Sequence, residues 1–317
     1  MKKKHLKFRI HKLFLQLLVR ITSNKRIIDY FYIAYHKRIL NYLEKEYAVF
    51  INSFVATAEP SSSSPSDNVW IFWWQGVESA PILVRRCIES IRKFSQRNIV
   101  IVDHNNYQQY TDIAPHVIKK FENGLINKTK LSNIIRMSLL KNHGGVWMDS
   151  TIFLSREMPK ELSNKHFFTL KSSELNNINV AKKKWTTFFI GGVKGYPMFE
   201  FVQKFHEKYW ESEDNVVDYL LLDYIIAIAY KNNIGGFKED VDKLEYNNEG
   251  DYDFINNINK SVSEDLLKSI FGRETYVFKL SYKKKIDSNK NIKTLGSMLL
   301  DGSLIKWLDN KSFSKYK

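Results

Sequence analysis

The stretch Gly144-Gly145-Val146-Trp147-Met148-Asp149-Ser150-Thr151 ends a short apolar run in a carboxylate. In α/β sheets, ligands bind beyond the carboxyl ends of strands, so an aspartate there stands where a ligand is expected. Such a carboxylate can hold a hard cation through oxygen, and the cation can neutralise a diphosphate. Just upstream, Leu131–Asn142 reads as a helix with Ile134, Ile135, Ser138 and Leu139 on its inward face. It stops at His143-Gly144-Gly145, a helix C-terminal signal. Asn133 and Arg136 are three residues apart and share one face of that helix. The Arg136 guanidinium can fork onto sugar hydroxyls or phosphate.

These residues need a sheet to hold them. Val69–Trp74 and Asn98–Val102 read as short buried strands, with a helix over Ala80–Phe94 between them. Val146–Asp149 is a third strand, and strand–helix–strand alternation of this kind argues for an α/β fold with a mostly parallel sheet flanked by helices. Short helices are expected at Tyr107–Tyr110 and His116–Phe121, strands at Phe167–Lys171 and Thr186–Ile190, and helices at Met198–Trp210 and Val216–Tyr230. The polar stretch from Gly235 to Asn259 reads as loops. A helix near Ser263–Phe271 and a strand at Tyr276–Leu280 follow.

The formal net charge is +15, and residues 1–45 carry twelve Lys/Arg against Asp29 and Glu44. The excess is thus concentrated in one segment, and no RNA- or DNA-binding motif accompanies it, which argues against a nucleic-acid-binding protein. The apolar run Leu13–Val19 falls far short of the roughly 20 residues of a spanning helix, and no small-residue cleavage site follows it. Two readings of the segment stand: a basic amphipathic helix on an anionic membrane surface, and a helix docked on the protein's own body. Three parts are expected: a helical segment over 1–58, a Pro/Ser linker over 59–68 and a catalytic domain over 69–317. The lone cysteine, Cys87, reads as a small core residue, and the eight histidines show no metal-ligand spacing.

Ser132-Asn133-Ile134-Ile135-Arg136, followed after a helix by Gly144-Gly145-Val146-Trp147-Met148-Asp149-Ser150-Thr151, resembles the hallmark of the capsular polysaccharide synthesis proteins and their relatives in glycosyltransferase family 32. The resemblance extends to Trp70–Gly76 with Ala80-Pro81, and to Trp185–Pro197, Tyr209-Trp210, Asp218–Asp223 and Lys279–Lys283, covering about residues 69–285. It implies a GT-A type, Rossmann-like nucleotide-sugar-binding fold. Two departures stand out. Asn133 replaces the family's usual Asp, and Thr151 stands where a full Asp-x-Asp motif has its second carboxylate. Asp149 and Thr151 would then make only a loose site for Mn²⁺ or Mg²⁺, and metal independence is an open alternative.

The resemblance implies a hexosyltransferase that takes a sugar from a nucleotide-sugar donor, a UDP-sugar first of all, with retention of anomeric configuration. Trp73, Trp74, Gln75 and Gly76 would meet the nucleotide base. Asp103 is a candidate for ribose hydroxyls, and Gly144 and Gly145 place the strand of Asp149. Gly191 and Gly192 could admit the sugar close to the backbone. Asp149, Arg136 and Asp223 are the candidates at the reacting centre, and Lys279 and Lys283 could close over the diphosphate. The acceptor would be a lipid-diphosphate-linked oligosaccharide at the inner face of the bacterial cytoplasmic membrane, where a peripheral enzyme held by its basic segment would meet it. A sugar-phosphate transferase and a non-catalytic scaffold are the alternatives.

Overall fold

The computed structural model describes residues 3–59, 61, 63–173, 176–287 and 292–311; Met1, Lys2 and the linker residues Pro60 and Ser62 lie outside them. Three helices open the chain: α1 (Lys3–Ile21), α2 (Lys25–Glu46) and α3 (Ala48–Thr57). The helical segment expected over 1–58 is thus three helices, with α2 and α3 separated at Tyr47. Then come β1 (Asn68–Phe72), α4 (Ile82–Phe94), β2 (Asn98–Val102), α5 (Tyr107–Tyr110), α6 (Pro115–Glu122), α7 (Lys128–His143), β3 (Gly145–Met148) and β4 (Ile152–Leu154). The second half runs β5 (Phe167–Thr169), β6 (Phe189–Gly192), α8 (Pro197–Ser212), α9 (Leu221–Lys231), α10 (Phe237–Lys243), α11 (Asp253–Asn256), α12 (Glu264–Phe271), β7 (Val277–Lys279), α13 (Leu295–Asp301) and α14 (Ser303–Asn310).

The main sheet has the order β2-β1-β3-β6-β5. β1 pairs in parallel with β2 and β3, whereas β6 runs antiparallel to both β3 and β5. Four strands thus share one direction and β6 alone is reversed, which is the mostly parallel, helix-flanked α/β architecture expected. Side chains alternate between faces along a strand. Trp70, Phe72 and Trp147 join one buried cluster with α7, α8 and α9, while Val69, Ile71, Val146 and Met148 join a second with α4 and the C-terminal helices. Burial on both faces explains why β1 and β3 read as near-continuous apolar runs, whereas β2, expected to be buried, is an edge strand in which only Val102 is fully covered. A two-stranded antiparallel sheet, β4 with β7, pairs Ile152 with Lys279 in register.

Some elements differ from expectation. β6 lies later than the strand expected at Thr186–Ile190, because its pairing with β3 and β5 is carried by Phe189–Gly192. The region read as loops contains α10 and α11, whose short buried faces (Phe237 and Val241, Phe254 and Ile255) are diluted by polar residues. α13 and α14 also went unanticipated; α13 opens on a capping box between Thr294 and Ser297.

The N-terminal helices share a hydrophobic core with the body: Leu15, Tyr35, Ile39, Leu43 and Ile51 belong to the cluster that contains Trp70, Phe199 and Phe205. Asp218 pins them. Its Oδ2 accepts from Tyr35 Oη (2.7 Å) and Lys12 Nζ (2.6 Å), and its Oδ1 accepts from the Leu220 N–H (2.8 Å) ahead of α9. His36 and Tyr224 hydrogen-bond at 2.7 Å, and Lys231 reaches Glu44 at 2.8 Å. The opposite side of α1 stays in water: Leu6, Ile10, Leu13, Leu17 and Ile21 form one helical stripe, all exposed, beside exposed Lys7 and Arg20. Among the described residues no helix is long and apolar enough to cross a membrane.

Removing the Asp218 carboxylate leaves the Tyr35 hydroxyl and the Leu220 N–H without their acceptor. Asp218→Ala is expected to cost about 2–3 kcal/mol in urea unfolding, since Lys12 can still reach water. Asp218→Asn, which keeps the acceptor oxygen, should cost about half as much.

Candidate functional site

Asp149 lies one residue past β3, on the turn into β4, where its N–H donates to Phe188 O (2.9 Å) and its carbonyl accepts from Ile152 N–H (2.8 Å). At the other end of β3, α7 stops sharply so that the strand can begin at Gly145. Gly144 and Gly145 have φ of 64° and 93°. A Cβ on Gly144 would stand 2.6 Å from the Lys194 nitrogen, and one on Gly145 would collide with the Asn68 carbonyl. Only glycine combines that backbone conformation with that approach.

The Asp149 side chain, 27% exposed, gathers three donors. Oδ1 accepts from Arg136 Nη2 at 3.1 Å and from Trp147 Nε1 at 2.8 Å. Oδ2 accepts from Lys279 Nζ at 2.6 Å, and the same ammonium donates to Thr151 Oγ1 at 2.8 Å. The Arg136 guanidinium stacks on Trp147, 4.7 Å from the ring centroid. Burial works to raise the Asp149 pKa, but the charges of Lys279 and Arg136, with hydrogen bonds from Lys279 and Trp147, outweigh it and hold the group at about 2. Arg136 is itself buried. Its helix is anchored by Asp112, which accepts from Ser138 (2.8 Å) and Asn142 (3.1 Å) of α7 and from Gln203 (3.1 Å) of α8.

Beside this cluster lies a cavity of about 160 Å³, lined in part by Trp185, Phe188, Asp223, Asp251 and Tyr252. Asp223 is buried on the first turn of α9, and its Oδ1 accepts from Trp185 Nε1 at 3.1 Å. Burial raises its pKa to about 6, against the pull of that hydrogen bond and of the Arg136 charge. Burial likewise raises Asp251 to about 6, with Lys183 opposing. Residues of the cavity wall contact the ion cluster. Phe188 takes the Asp149 N–H on its carbonyl, its ring lies 5.4 Å from Lys279 Nζ, and the Asp251 carbonyl accepts the Lys279 N–H at 2.8 Å.

The loops after β1 and β2 meet next to each other. Gly76, at φ 81°, would carry a Cβ 3.7 Å from Asp103 Oδ2. The His104 N–H and the Trp74 carbonyl are 3.1 Å apart. The Trp74 ring packs with His104, Tyr107 and Phe121, so it serves the core, whereas Trp73 meets Tyr282 edge to face at 5.5 Å. Trp73 Nε1 and Arg136 Nε are buried without a hydrogen-bond partner among the described residues. Gln75 is exposed. Asp103 Oδ1 accepts from the Asn105 N–H (2.8 Å), so this side chain shapes its own turn.

Of the residues singled out from sequence, the fold brings Asp149, Arg136, Thr151 and Lys279 into one contact set, with Asp223 close enough to Arg136 for their charges to interact. Gly191 and Gly192 are corrected. They sit inside β6 opposite Val146 and Gly145, and the close approach they permit is strand to strand, against Phe168 and the His166 carbonyl. Asn133 stays on α7, half-buried, and Lys283 is exposed on the turn after β7. Sequence reasoning missed Trp147 as a donor to Asp149, and it missed Asp251 and Tyr252 altogether. The Trp147 role follows from strand pleat, which sets residues two apart on one side; nothing local marks Asp251 among its polar neighbours.

The cation expected at Asp149 and Thr151 does not fit this arrangement. Both Asp149 oxygens are engaged, and an ammonium already bridges Oδ2 to Thr151. Among the described residues no three His, Cys, Asp or Glu side chains gather to hold a metal. Cys87 is buried in the core, and burial pushes its thiol well above the ordinary range, as suits a packing residue.

A charged cluster at the carboxyl end of the central strand, next to a polar and aromatic cavity, makes this end of the α/β sheet the candidate small-molecule site. The chain belongs to the capsular polysaccharide synthesis protein family, whose model matches residues 20–299. Among solved structures it is similar to PaToxG glycosyltransferase, at 13% identity over 80% of this chain and 99% of that one, with a TM-score of 0.37. No curated protein sequence matches it.

Asp223 carries a testable cost. Its folded pKa of about 6 lies above the ordinary carboxyl value of 3.8. Well below pH 3.8 both states are protonated and the group is neutral to stability. As pH rises from 3.8 to about 6 the unfolded state ionises while the folded state does not, and the fold loses stability, at about 1.4 kcal/mol per pKa unit. Asp223→Asn should therefore unfold at higher temperature than the native chain at pH 8, with the gain, at most about 3 kcal/mol, vanishing toward pH 4. Thermal unfolding across pH reads this directly.

Proposed function

We propose that the protein is a glycosyltransferase that moves a sugar from a nucleotide-sugar donor, a UDP-sugar in first place, onto a lipid-linked oligosaccharide acceptor in capsular polysaccharide assembly. The observation that carries the reading is the Asp149–Arg136–Lys279 cluster beside the cavity of Asp223 and Asp251. Two protein cations against one carboxylate leave net positive charge where a leaving diphosphate would develop negative charge. Aromatic walls and carboxylates suit a sugar, which offers apolar C–H faces and hydroxyl donors. Family membership supports sugar chemistry, and the buried, unpartnered Trp73 N–H supports a nucleotide at the loop after β1.

In this reading the bond between the anomeric carbon and the diphosphate oxygen breaks, and the electron pair leaves with the nucleoside diphosphate. An acceptor hydroxyl oxygen bonds to the anomeric carbon, and its proton passes to the leaving phosphate, which suits a retaining transfer. Arg136 and Lys279 stabilise the departing charge, and Asp149 holds both in place. Asp223 accepts from sugar hydroxyls at the cavity wall.

The exposed stripe Leu6, Ile10, Leu13, Leu17 and Ile21, with the basic residues around it, suits an anionic membrane surface on which a lipid-linked acceptor would lie. α1 would then serve both earlier readings, one face on the body and the other on lipid.

Two experiments test this. Release of UDP from a panel of UDP-sugars should single out one donor, and Arg136→Ala and Asp149→Ala should each lower turnover by about 10²–10³; no nucleotide binding by the folded native chain would sink the reading. In flotation with vesicles containing anionic phosphatidylglycerol, the native chain should float at low salt, and the double variant Leu13→Glu, Leu17→Glu should stay in solution with its donor hydrolysis unchanged. Equal behaviour of the two chains would remove the membrane role.

A further inference from the structure

Lys279 Nζ lies 2.6 Å from Asp149 Oδ2 and 2.8 Å from Thr151 Oγ1, between the two groups that a metal would have to bridge. Its place is set by the backbone. Lys279 ends β7 in register with Ile152, its N–H donates to the Asp251 carbonyl (2.8 Å), and its ammonium rests 5.4 Å from the Phe188 ring centroid. The other Asp149 oxygen is occupied by Arg136 and Trp147. A divalent cation entering here would have to expel the ammonium from both ligands. It would then share the cleft with two protein cations and only one carboxylate in contact. The hydroxyl at Thr151 adds no negative charge to offset this. An ammonium has three donors; two are spent on Asp149 and Thr151, and one remains for an incoming ligand.

We propose that Lys279 supplies, from the chain itself, the positive charge that a divalent metal would bring to a diphosphate, so that donor binding at this site needs no metal. The identity of the ligand rests on the nucleotide-sugar reading; the filling of the cation position rests on geometry alone.

The experiment is binding of Mn²⁺ to the full chain by electron paramagnetic resonance, paired with calorimetry of UDP in EDTA and in Mn²⁺. The native chain should leave Mn²⁺ free and should bind UDP equally well in both conditions. Lys279→Met should weaken UDP binding at least tenfold in EDTA, while Lys279→Arg, which keeps the charge, should retain most of it; circular dichroism checks that both variants fold. Stoichiometric Mn²⁺ uptake by the native chain that Asp149→Ala abolishes would overturn the inference. So would UDP binding that disappears in EDTA and is indifferent to Lys279→Met, and either result would leave the donor reading standing. No nucleotide binding by the folded native chain in either condition would overturn the donor reading and this inference with it.

Discussion

A carboxylate drawn largely out of water has to be compensated, and the compensation of Asp149 organises this molecule. Burial alone would push its proton affinity up; Lys279 and Arg136, both facing it, bring it down instead. Those partners are far apart in sequence. Arg136 comes from α7, thirteen residues before Asp149, and Lys279 from β7, 130 residues after it. The small β4–β7 sheet therefore does more than extend the fold. It brings a lysine from the last third of the chain to the carboxyl end of the central strand. Charge balance and topology constrain each other: without β7, Asp149 would face Arg136 alone, and the cluster would carry no surplus positive charge.

A second constraint links the N-terminal helices to the same region. Asp218 accepts from α1 and α2 with one oxygen and from the approach to α9 with the other. α9 carries Asp223 on its first turn, so the docking of the N-terminal helices and the placement of a cavity carboxylate share one residue's hydrogen bonds. The helices also bury Tyr35, Ile39 and Leu43 in the cluster beneath the sheet. Burial of this kind scales at about 25 cal/mol per Å² of apolar surface. Hence the hydrophobic contacts give the affinity of the docking, and the buried Asp218 fixes its register. The stripe on the far side of α1 adds nothing to either, since its apolar residues remain in water.

Much of this was legible in the sequence wherever the signal was local. The Gly144-Gly145 pair marked the end of α7 and the entry to β3, because a positive φ and a backbone contact both demand glycine. The strands around Val69 and Val146 were readable because burial on both faces erases alternation and leaves apolar runs. Asp149, Arg136 and Lys279 could be named but not joined, since the pairing of β4 with β7 is a long-range contact that no periodicity encodes. Gly191 and Gly192 misled for a related reason: a glycine pair looks the same whether backbone or ligand approaches it, and here the neighbour is a strand. Asp251 was invisible. Its neighbours are as polar as it is, and only the folded chain turns one of them inward.

Arg136 is the residue through which these constraints become inseparable. It pairs directly with Asp149 and its charge also reaches Asp223, whose proton affinity it holds below what burial alone would impose. One guanidinium therefore screens two carboxylates with different tasks, one fixing cations and one lining the cavity. Removing it would leave Asp149 to Lys279 and leave Asp223 without its nearest screening charge. Residues coupled in this way give energies that depart from additivity by about 0.5–3 kcal/mol. The loss on removing Arg136 therefore cannot be apportioned between its pairing with Asp149 and the state of the cavity. Such sharing gives the cluster its rigidity: Arg136 is held by Asp149 and the Trp147 ring, and Lys279 by Asp149 and Thr151, so the positive surplus stays in place before any ligand arrives.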